Sequence, residues 1–264
     1  MEAFLFFNTM FITVITDCLC ANAQGRQQTR LTSLFRSPVN FIGVNTDLEA
    51  AGNLIDIIEA GHGKKGIILV NVAPRNGEAK KWPNGTPFAY FFFKKTLIIS
   101  SIDGVTLSLI KKLKLTKSIY VTDLANTVTK NLPSEAEKII NTQFRSLEFL
   151  PLLALWITKG KEIVFTEQNI NTIPNAPEAI WWTDNFGNCK TTLLPEELNE
   201  AKIRLIRNKI PKIEFYDKLK DVPNGQTAVI IGSSGIDKNN FLEIVVQGDN
   251  ASKIHKITSG DILL

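Results

Sequence analysis

Three apolar runs separated by helix-like segments dominate the N-terminal part of the chain, at residues 11–16, 39–44 and 66–72. The third run is almost continuously apolar, which is typical of a strand covered on both faces. Between the second and third runs the apolar positions recur at helical spacing, at Leu48, Ala51, Leu54, Ile55 and Ile58. Strands that alternate with helices in this way predict an α/β domain with a mostly parallel sheet.

The C-terminal part has a different pattern. Residues 166–179 are rich in Asn, Thr and Pro, and we interpret them as a linker. Short strand-like runs with turns between them follow, at residues 179–182, 213–216, 227–231, 241–246 and 253–257. This spacing predicts a small β-barrel or a sandwich, of which we expect the barrel. We therefore expect an α/β N-terminal domain over residues 1–167 and a β-barrel C-terminal domain over residues 168–264.

Composition and charge argue against several classes of protein. Apolar residues make up 44% and charged residues 21%, as in an ordinary globular chain, and the net charge is only +4. The lysines are scattered, so we expect no nucleic-acid partner. Three cysteines and two histidines show no paired spacing typical of a zinc site. We expect a reduced, metal-free, cytoplasmic protein.

The apolar N-terminal segment has two interpretations. Residues 4–15 are apolar, and Ala-Asn-Ala at residues 21–23 looks like a signal-peptidase site. However, the start of the chain carries Glu2 and no Lys or Arg, and Asp17 follows the apolar run directly. The run is also too short to span a membrane, so we expect no membrane association. The favoured interpretation is a buried strand at residues 11–16 that carries Asp17 at its carboxyl end, where open α/β sheets bind ligands. Secretion with loss of this segment is the alternative.

Residues 184–188 read Asp-Asn-Phe-Gly-Asn and follow the predicted linker. Asp184 and Asn188 carry several hydrogen-bonding atoms that are costly to bury without partners. Phe186 can offer its ring to a flat group, and Gly187 allows close approach of the backbone. Asp-Asn and Gly-Asn are also common in plain turns. The motifs around this segment favour a turn that faces a ligand.

Several short motifs, in a common order, resemble the S-adenosylmethionine hydroxide adenosyltransferase and fluorinase/chlorinase family. Residues 184–188, followed by Thr-Thr at 191–192, are similar to Asp-His-Phe-Gly-Asn and Thr-Asn of that family. Further similar motifs are Thr-Asp at 16–17, Phe-Tyr-Asp at 215–217, Ser-Ser-Gly at 233–235, Phe-Leu-Glu-Ile at 241–244, Asn-Ala at 250–251 and Gly-Asp at 260–261. Together they cover most of the chain, although each is short.

The resemblance implies a homotrimer that binds S-adenosylmethionine, or a related adenosine ligand, between the N-terminal domain of one subunit and the C-terminal domain of another. In that family a nucleophile attacks C5′ of S-adenosylmethionine and releases methionine, without a further cofactor. By motif, Asp17 would bind the ribose hydroxyls and Asp184 the methionine ammonium. Phe186 and Asn188 would hold the adenine, with Phe215 as a second stacking ring.

The chain departs from the family at the residues that activate water. The loop after the third strand puts Ala73 at the family's Asp and Lys80 at its Arg, and a later motif puts Arg145 at its His. Ser146 falls where halogenating members have a Ser. We expect water or hydroxide as nucleophile, oriented by Lys80, Arg145 and Ser146. Two alternatives stay open: these residues are surface charges and a helix cap, or the protein binds adenosine ligands without catalysis.

Overall fold

The first of two sheets is built from the N-terminal part of the chain. The computed structural model describes residues 10–73 and 85–264. The first sheet has the strand order β2-β1-β3-β5-β4-β6-β7. Its strands are β1 (Phe11–Thr16), β2 (Val39–Gly43), β3 (Gly66–Asn71), β4 (Phe88–Phe93), β5 (Thr96–Ser101), β6 (Ser118–Thr122) and β7 (Phe165–Asn169).

The directions of these strands correct one expectation. β1 is parallel to β2 and β3, and β3 is parallel to β5. The pairs β4–β5, β4–β6 and β6–β7 are antiparallel. The sheet is therefore mixed, and the prediction of a mostly parallel sheet is wrong. The reason is local, because only Lys94 and Lys95 separate β4 from β5, and so short a connection can join only antiparallel strands.

Helices cover both faces of this sheet. They are α1 (Ala21–Phe35), α2 (Asp47–Ala60), α3 (Ser108–Lys112), α4 (Leu124–Asn131), α5 (Ala136–Ile140), α6 (Arg145–Glu148) and α7 (Leu150–Thr158). One apolar core forms between the sheet and α2 with α3, and includes Leu54 and Ile110. A second forms on the side of α1 and α7, and includes Leu31 and Leu153. The result is a three-layer α/β arrangement.

The second sheet has five strands in the order β10-β11-β12-β9-β8. Its elements are β8 (Ile180–Thr183), β9 (Cys189–Thr191), α8 (Glu200–Lys209), β10 (Glu214–Tyr216), β11 (Thr227–Ile236), β12 (Asn239–Val246) and α9 (Ala251–His255). Within the described residues, the edge strands β8 and β10 do not pair, so the sheet does not close and the predicted β-barrel is wrong. The strand predicted at 253–257 is also wrong, because Asn250 accepts a hydrogen bond from the Lys253 N–H and caps α9.

Helix α2 packs against the second sheet and helps to explain why that sheet stays open. The ring of Trp181 in β8 lies so close to Gly52 of α2 that a Cβ at that glycine would come within 2.0 Å of the ring. Trp181 is 1% exposed. A sheet whose face is covered by a helix of the neighbouring domain has no need to curl on itself to bury its apolar side chains.

The segment between the two sheets is more ordered than its composition indicated. The predicted linker at 166–179 begins inside β7, whose residues pair with β6 of the first sheet. The division of the chain at residues 167 and 168 stays a prediction, and it falls within this strand. In residues 10–73 and 85–264, no helix is long and apolar enough to cross a membrane.

Candidate functional site

Asp17 lies at the point of the first sheet where ligands are expected. It follows β1, which has β2 on one side and β3 on the other, so the chain reverses its direction of winding there. The Asp17 N–H donates to the Asn71 carbonyl at 3.4 Å, and the Ala73 N–H donates to Asp17 Oδ2 at 3.3 Å. These contacts fix the carboxylate beside the start of the loop that follows β3.

Arg145 lies at the other end of that loop. Its guanidinium fills the space beside Gly85, where a Cβ would come within 2.1 Å of Nη2, and it lies 5.9 Å from the ring centroid of Phe88. Gly85 also has a φ of +71°, which favours glycine. Burial lowers the pKa of Arg145 from its ordinary value. Asp17 and Arg145 therefore flank the two ends of one loop, whose Lys80 lies outside the described residues.

Ser146 is the second residue of α6, and Phe144 is the residue that precedes the helix. The interpretation of Ser146 as a helix cap is therefore wrong. Ser146 is a partly buried residue and is next in sequence to Arg145. The part of Ser146 in catalysis stays a prediction.

Residues 184–188 form a tight turn between β8 and β9. Asp184 Oδ1 accepts hydrogen bonds from the N–H groups of Phe186 at 2.8 Å and Asn188 at 2.9 Å. Asp184 Oδ2 accepts from Asn188 Nδ2 at 3.0 Å. The backbone closes the turn, since the Asp184 N–H donates to the Asn188 carbonyl at 3.0 Å. Asp184 is therefore first of all the organiser of the turn, and it keeps part of its acceptor capacity for a ligand.

The turn projects Phe186 into solvent and borders a groove. The ring of Phe186 is 78% exposed, the largest exposure among the exposed large apolar side chains of the described chain. Gly187 has a φ of +85°, and a Cβ there would come within 2.1 Å of Asn250. The groove has a volume of about 550 Å³ and includes Phe186, Asn188, Leu219 and Gln247 in its walls. An exposed ring beside such a groove suits a flat ligand.

Only some of the predicted residues meet in this groove. All described residues that line it come from the C-terminal part of the chain, between Phe186 and Asn250. Asp17 is not among them, and neither is Phe215, which is 44% exposed on the edge strand β10. The described chain therefore brings Phe186 and Asn188 together on the turn that Asp184 organises, and Asp17 does not line the same groove.

A partly buried polar cluster between the two sheets did not emerge from the sequence. Asp56 of α2 accepts hydrogen bonds on Oδ2 from Lys190 Nζ and Ser234 Oγ, both at 3.0 Å, and Lys190 Nζ donates to Ser234 Oγ at 2.7 Å. Glu243 is nearby, and burial raises the pKa of its carboxyl. We call Asp56, Lys190 and Ser234 the interdomain cluster. Asp56 stands between two isoleucines in the sequence, but α2 carries three other carboxylates, so no local signal singled it out.

No metal centre is evident in residues 10–73 and 85–264, where no three His, Cys, Asp or Glu side chains are grouped closely enough to hold an ion. The buried thiol of Cys189 makes a weak contact with Thr183 Oγ1 at 3.9 Å. Burial raises the pKa of this thiol to about 11. Cys189 is therefore a protonated core residue at neutral pH.

Comparison with known proteins agrees with the motifs. Residues 178–264 match the family described as the SAM hydroxide adenosyltransferase C-terminal domain. The matched segment begins just before β8 and contains the turn at 184–188. The resemblance to this family is thereby confirmed, on the strength of the C-terminal domain.

Solved structures share the whole fold. An uncharacterized conserved protein from Thermotoga maritima has a TM-score of 0.61 and 14% identity, over 95% of this chain and 97% of that one. A conserved hypothetical protein from Thermus thermophilus has a TM-score of 0.60 and 16% identity, over 96% of this chain and 98% of that one. Identities this low establish a common fold alone. No curated protein matches the sequence.

Proposed function

We propose that this protein binds S-adenosylmethionine and cleaves it at C5′ with water or hydroxide, giving adenosine and L-methionine. The observation that carries the proposal is the match of residues 178–264 to the C-terminal domain of the S-adenosylmethionine hydroxide adenosyltransferases. The exposed Phe186 ring on the turn within that segment supports it, because an adenine base needs a flat apolar surface.

The turn at 184–188 would bind the adenosine and methionine ends of the substrate. Phe186 would stack on the purine, and the side-chain carbonyl of Asn188 would accept from the adenine amino group, since Asn188 Nδ2 already donates to Asp184. Three donors already occupy the Asp184 carboxylate. A carboxylate offers about four acceptor positions, so Asp184 can still accept one bond from the methionine ammonium.

Asp17 would complete the site from a neighbouring subunit. A carboxylate can accept hydrogen bonds from both hydroxyls of a ribose, and Asp17 is held at the sheet edge that binds ligands in open α/β folds. The described lining of the Phe186 groove contains no residue of the first sheet. A homotrimer with its sites between subunits would supply the missing half, with Phe215 as a second ring.

The reaction needs positioning more than acid and base groups. The oxygen of water attacks C5′, the bond from C5′ to sulfur breaks, and its electron pair stays on sulfur, so that methionine leaves as a neutral thioether. The attacking water passes one proton to solvent. Because the leaving sulfonium is already activated, holding water in line is the main task. Arg145, Ser146 and Lys80 would orient it, and the positive charge of Arg145 favours hydroxide.

A second candidate function is binding without turnover. It is favoured by Ala73, which stands where the family has a water-activating Asp. The methyl side chain of Ala73 cannot accept a proton, and its N–H is engaged with Asp17 Oδ2 at 3.3 Å. A protein of this kind would keep the adenosine groove and would have lost the chemistry.

Incubation of the purified protein with S-adenosylmethionine distinguishes the two candidates. We expect equimolar adenosine and methionine by chromatography, and saturable binding by calorimetry. An Arg145→Met variant should still bind S-adenosylmethionine but should form less adenosine and methionine. Tight binding of S-adenosylmethionine without its cleavage would overturn the enzymatic function and support the binding function. Absence of binding would overturn both.

A further inference from the structure

Two walls of the groove beside Phe186 come from separate parts of the chain. One is the turn at 184–188, which contributes Phe186 and Asn188, and the other is the segment at 246–250. The two walls meet where the side chain of Asn250 lies against Gly187, a buried residue of the turn. The place of the Phe186 ring over the groove therefore depends on how the second wall holds the turn.

The contact between Asn250 and Gly187 is close. A Cβ at Gly187 would come within 2.1 Å of Cγ, 2.2 Å of Oδ1 and 2.3 Å of Nδ2 of Asn250, so the whole carboxamide covers the glycine. Gly187 has a φ of +85°, which favours glycine, and its carbonyl accepts from the Ser252 N–H at 3.0 Å. Asn250 and Ser252 thus hold the Cα and the carbonyl of the same residue of the turn.

Asn250 is itself fixed in place. Its Oδ1 accepts from the Lys253 N–H at 2.8 Å, as the N-cap of α9. Its own N–H donates to Asp249 Oδ1 at 2.7 Å. A side chain that is held by such bonds can keep a neighbouring binding residue in a defined geometry.

We propose that Asn250 is a positioning residue, which sets the place of the Phe186 ring through its contact with Gly187. This inference rests on the proposed binding of S-adenosylmethionine at the turn. Ordering a loop during association costs free energy, so a ring that is already in position binds a flat ligand more tightly. The carboxamide of Asn250 orders the turn before the ligand arrives.

Hydrogen exchange of the protein without ligand tests the contact itself. The N–H groups of Asp184, Phe186 and Asn188 are bonded within the turn, at 3.0, 2.8 and 2.9 Å. In an Asn250→Ala variant these amides should exchange about threefold faster or more, because the turn opens locally with less cost.

Asn199→Ala is the matched control, since Asn199 is also an N-cap of the C-terminal part of the chain. It accepts from the Lys202 N–H at 3.0 Å at the start of α8, and it does not line the groove. Both alanine variants should lower the melting temperature by about 2–4 °C, because each removes one cap. Only Asn250→Ala should speed exchange in the turn. Equal exchange of the turn amides in the two variants would overturn the proposal, whether or not the protein binds S-adenosylmethionine.

Calorimetric titration with S-adenosylmethionine tests the consequence for binding. Asn250→Ala should bind about threefold to tenfold more weakly than the parent, because the turn must then be ordered on association. Asn199→Ala should bind like the parent. Asn250→Asp should bind within about twofold of the parent, since aspartate has the same shape and caps a helix equally well.

Two outcomes of the titration would overturn the positioning role. Parent affinity in Asn250→Ala would show that the turn needs no support from Asn250. Equally weak binding by Asn250→Asp and Asn250→Ala would make the carboxamide a direct ligand contact. Failure of the parent to bind S-adenosylmethionine overturns the proposed function, and the exchange rates of the turn then decide the role of Asn250.

Discussion

Asp17 Oδ2 accepts a hydrogen bond from the backbone N–H of Ala73 at 3.3 Å, which joins the carboxyl end of β1 to the loop after β3. The bond orients the Asp17 carboxylate at the edge of the sheet. It also means that an amide oxygen in place of the carboxylate could keep the same contact. A substitution by asparagine can therefore remove the negative charge of residue 17 while it keeps the contact that holds the side chain in place.

Asp17→Asn should weaken binding of S-adenosylmethionine about tenfold to a hundredfold, since hydrogen bonds to a charged acceptor are stronger than those to a neutral one. The melting temperature should stay close to that of the parent. Asp237→Asn is the control, because Asp237 is exposed with a φ of +56°, which asparagine tolerates. Equal affinities for all three proteins in calorimetry would remove Asp17 from the site.

Phe186→Ala should lower the affinity for S-adenosylmethionine about tenfold or more, because stacking of a base on an aromatic ring contributes about 1–3 kcal/mol. Stability should not fall, since the ring is 78% exposed. Phe92→Ala, at a ring that is 53% exposed on β4, is the matched control and should bind like the parent. A loss of affinity in both variants would point to a general effect of surface apolar area.

The interdomain cluster should contribute measurably to stability. Lys190→Met leaves the Asp56 carboxylate with Ser234 as its partner and should lower the free energy of unfolding by about 1–3 kcal/mol. Part of the effect is screened, since the Lys190 and Asp56 side chains are 17% and 29% exposed. Lys138→Met removes an exposed ion pair with Glu135 and should change the free energy of unfolding by less than about 0.5 kcal/mol. Both free energies are measured by urea unfolding. Equal losses in the Lys190→Met and Lys138→Met variants would show that the interdomain cluster adds no more stability than an exposed ion pair.

Cys189 should resist alkylation at pH 8, since burial raises the pKa of its thiol to about 11. Cys18 and Cys20 are exposed, so mass spectrometry of the folded protein should show two modified thiols. A raised pKa also means that the unfolded chain loses this proton first as the pH rises. The contribution of Cys189 to stability should therefore fall as the pH rises from about 9 to about 11, and Cys189→Ala should lack this decline. Three rapidly modified thiols would contradict the burial.

The sequence predicted elements whose signals are local. Helix α2 follows from the apolar spacing of Leu48 to Ile58, and β1 occupies the predicted residues 11–16. The turn at 184–188 follows from Asp-Asn and Gly-Asn. In these cases the residues that specify the element lie within it.

Features that depend on distant partners were not predictable. β7 is polar and exposed, and only its pairing with β6 makes it a strand. The open second sheet depends on α2 covering Trp181, and the interdomain cluster joins Asp56 to Lys190 across 134 positions of sequence. For the site, residue types indicated Phe186 and Asp17, but only the folded chain shows that Asp17 does not line the groove beside Phe186.

The origin of the 5′ oxygen of adenosine tests the central claim most directly. The protein is incubated with S-adenosylmethionine in H₂¹⁸O, and adenosine is analysed by mass spectrometry. Attack of water at C5′ predicts one ¹⁸O in each adenosine, with an equal amount of methionine. Adenosine without ¹⁸O, or S-adenosylmethionine recovered intact after binding, would contradict it.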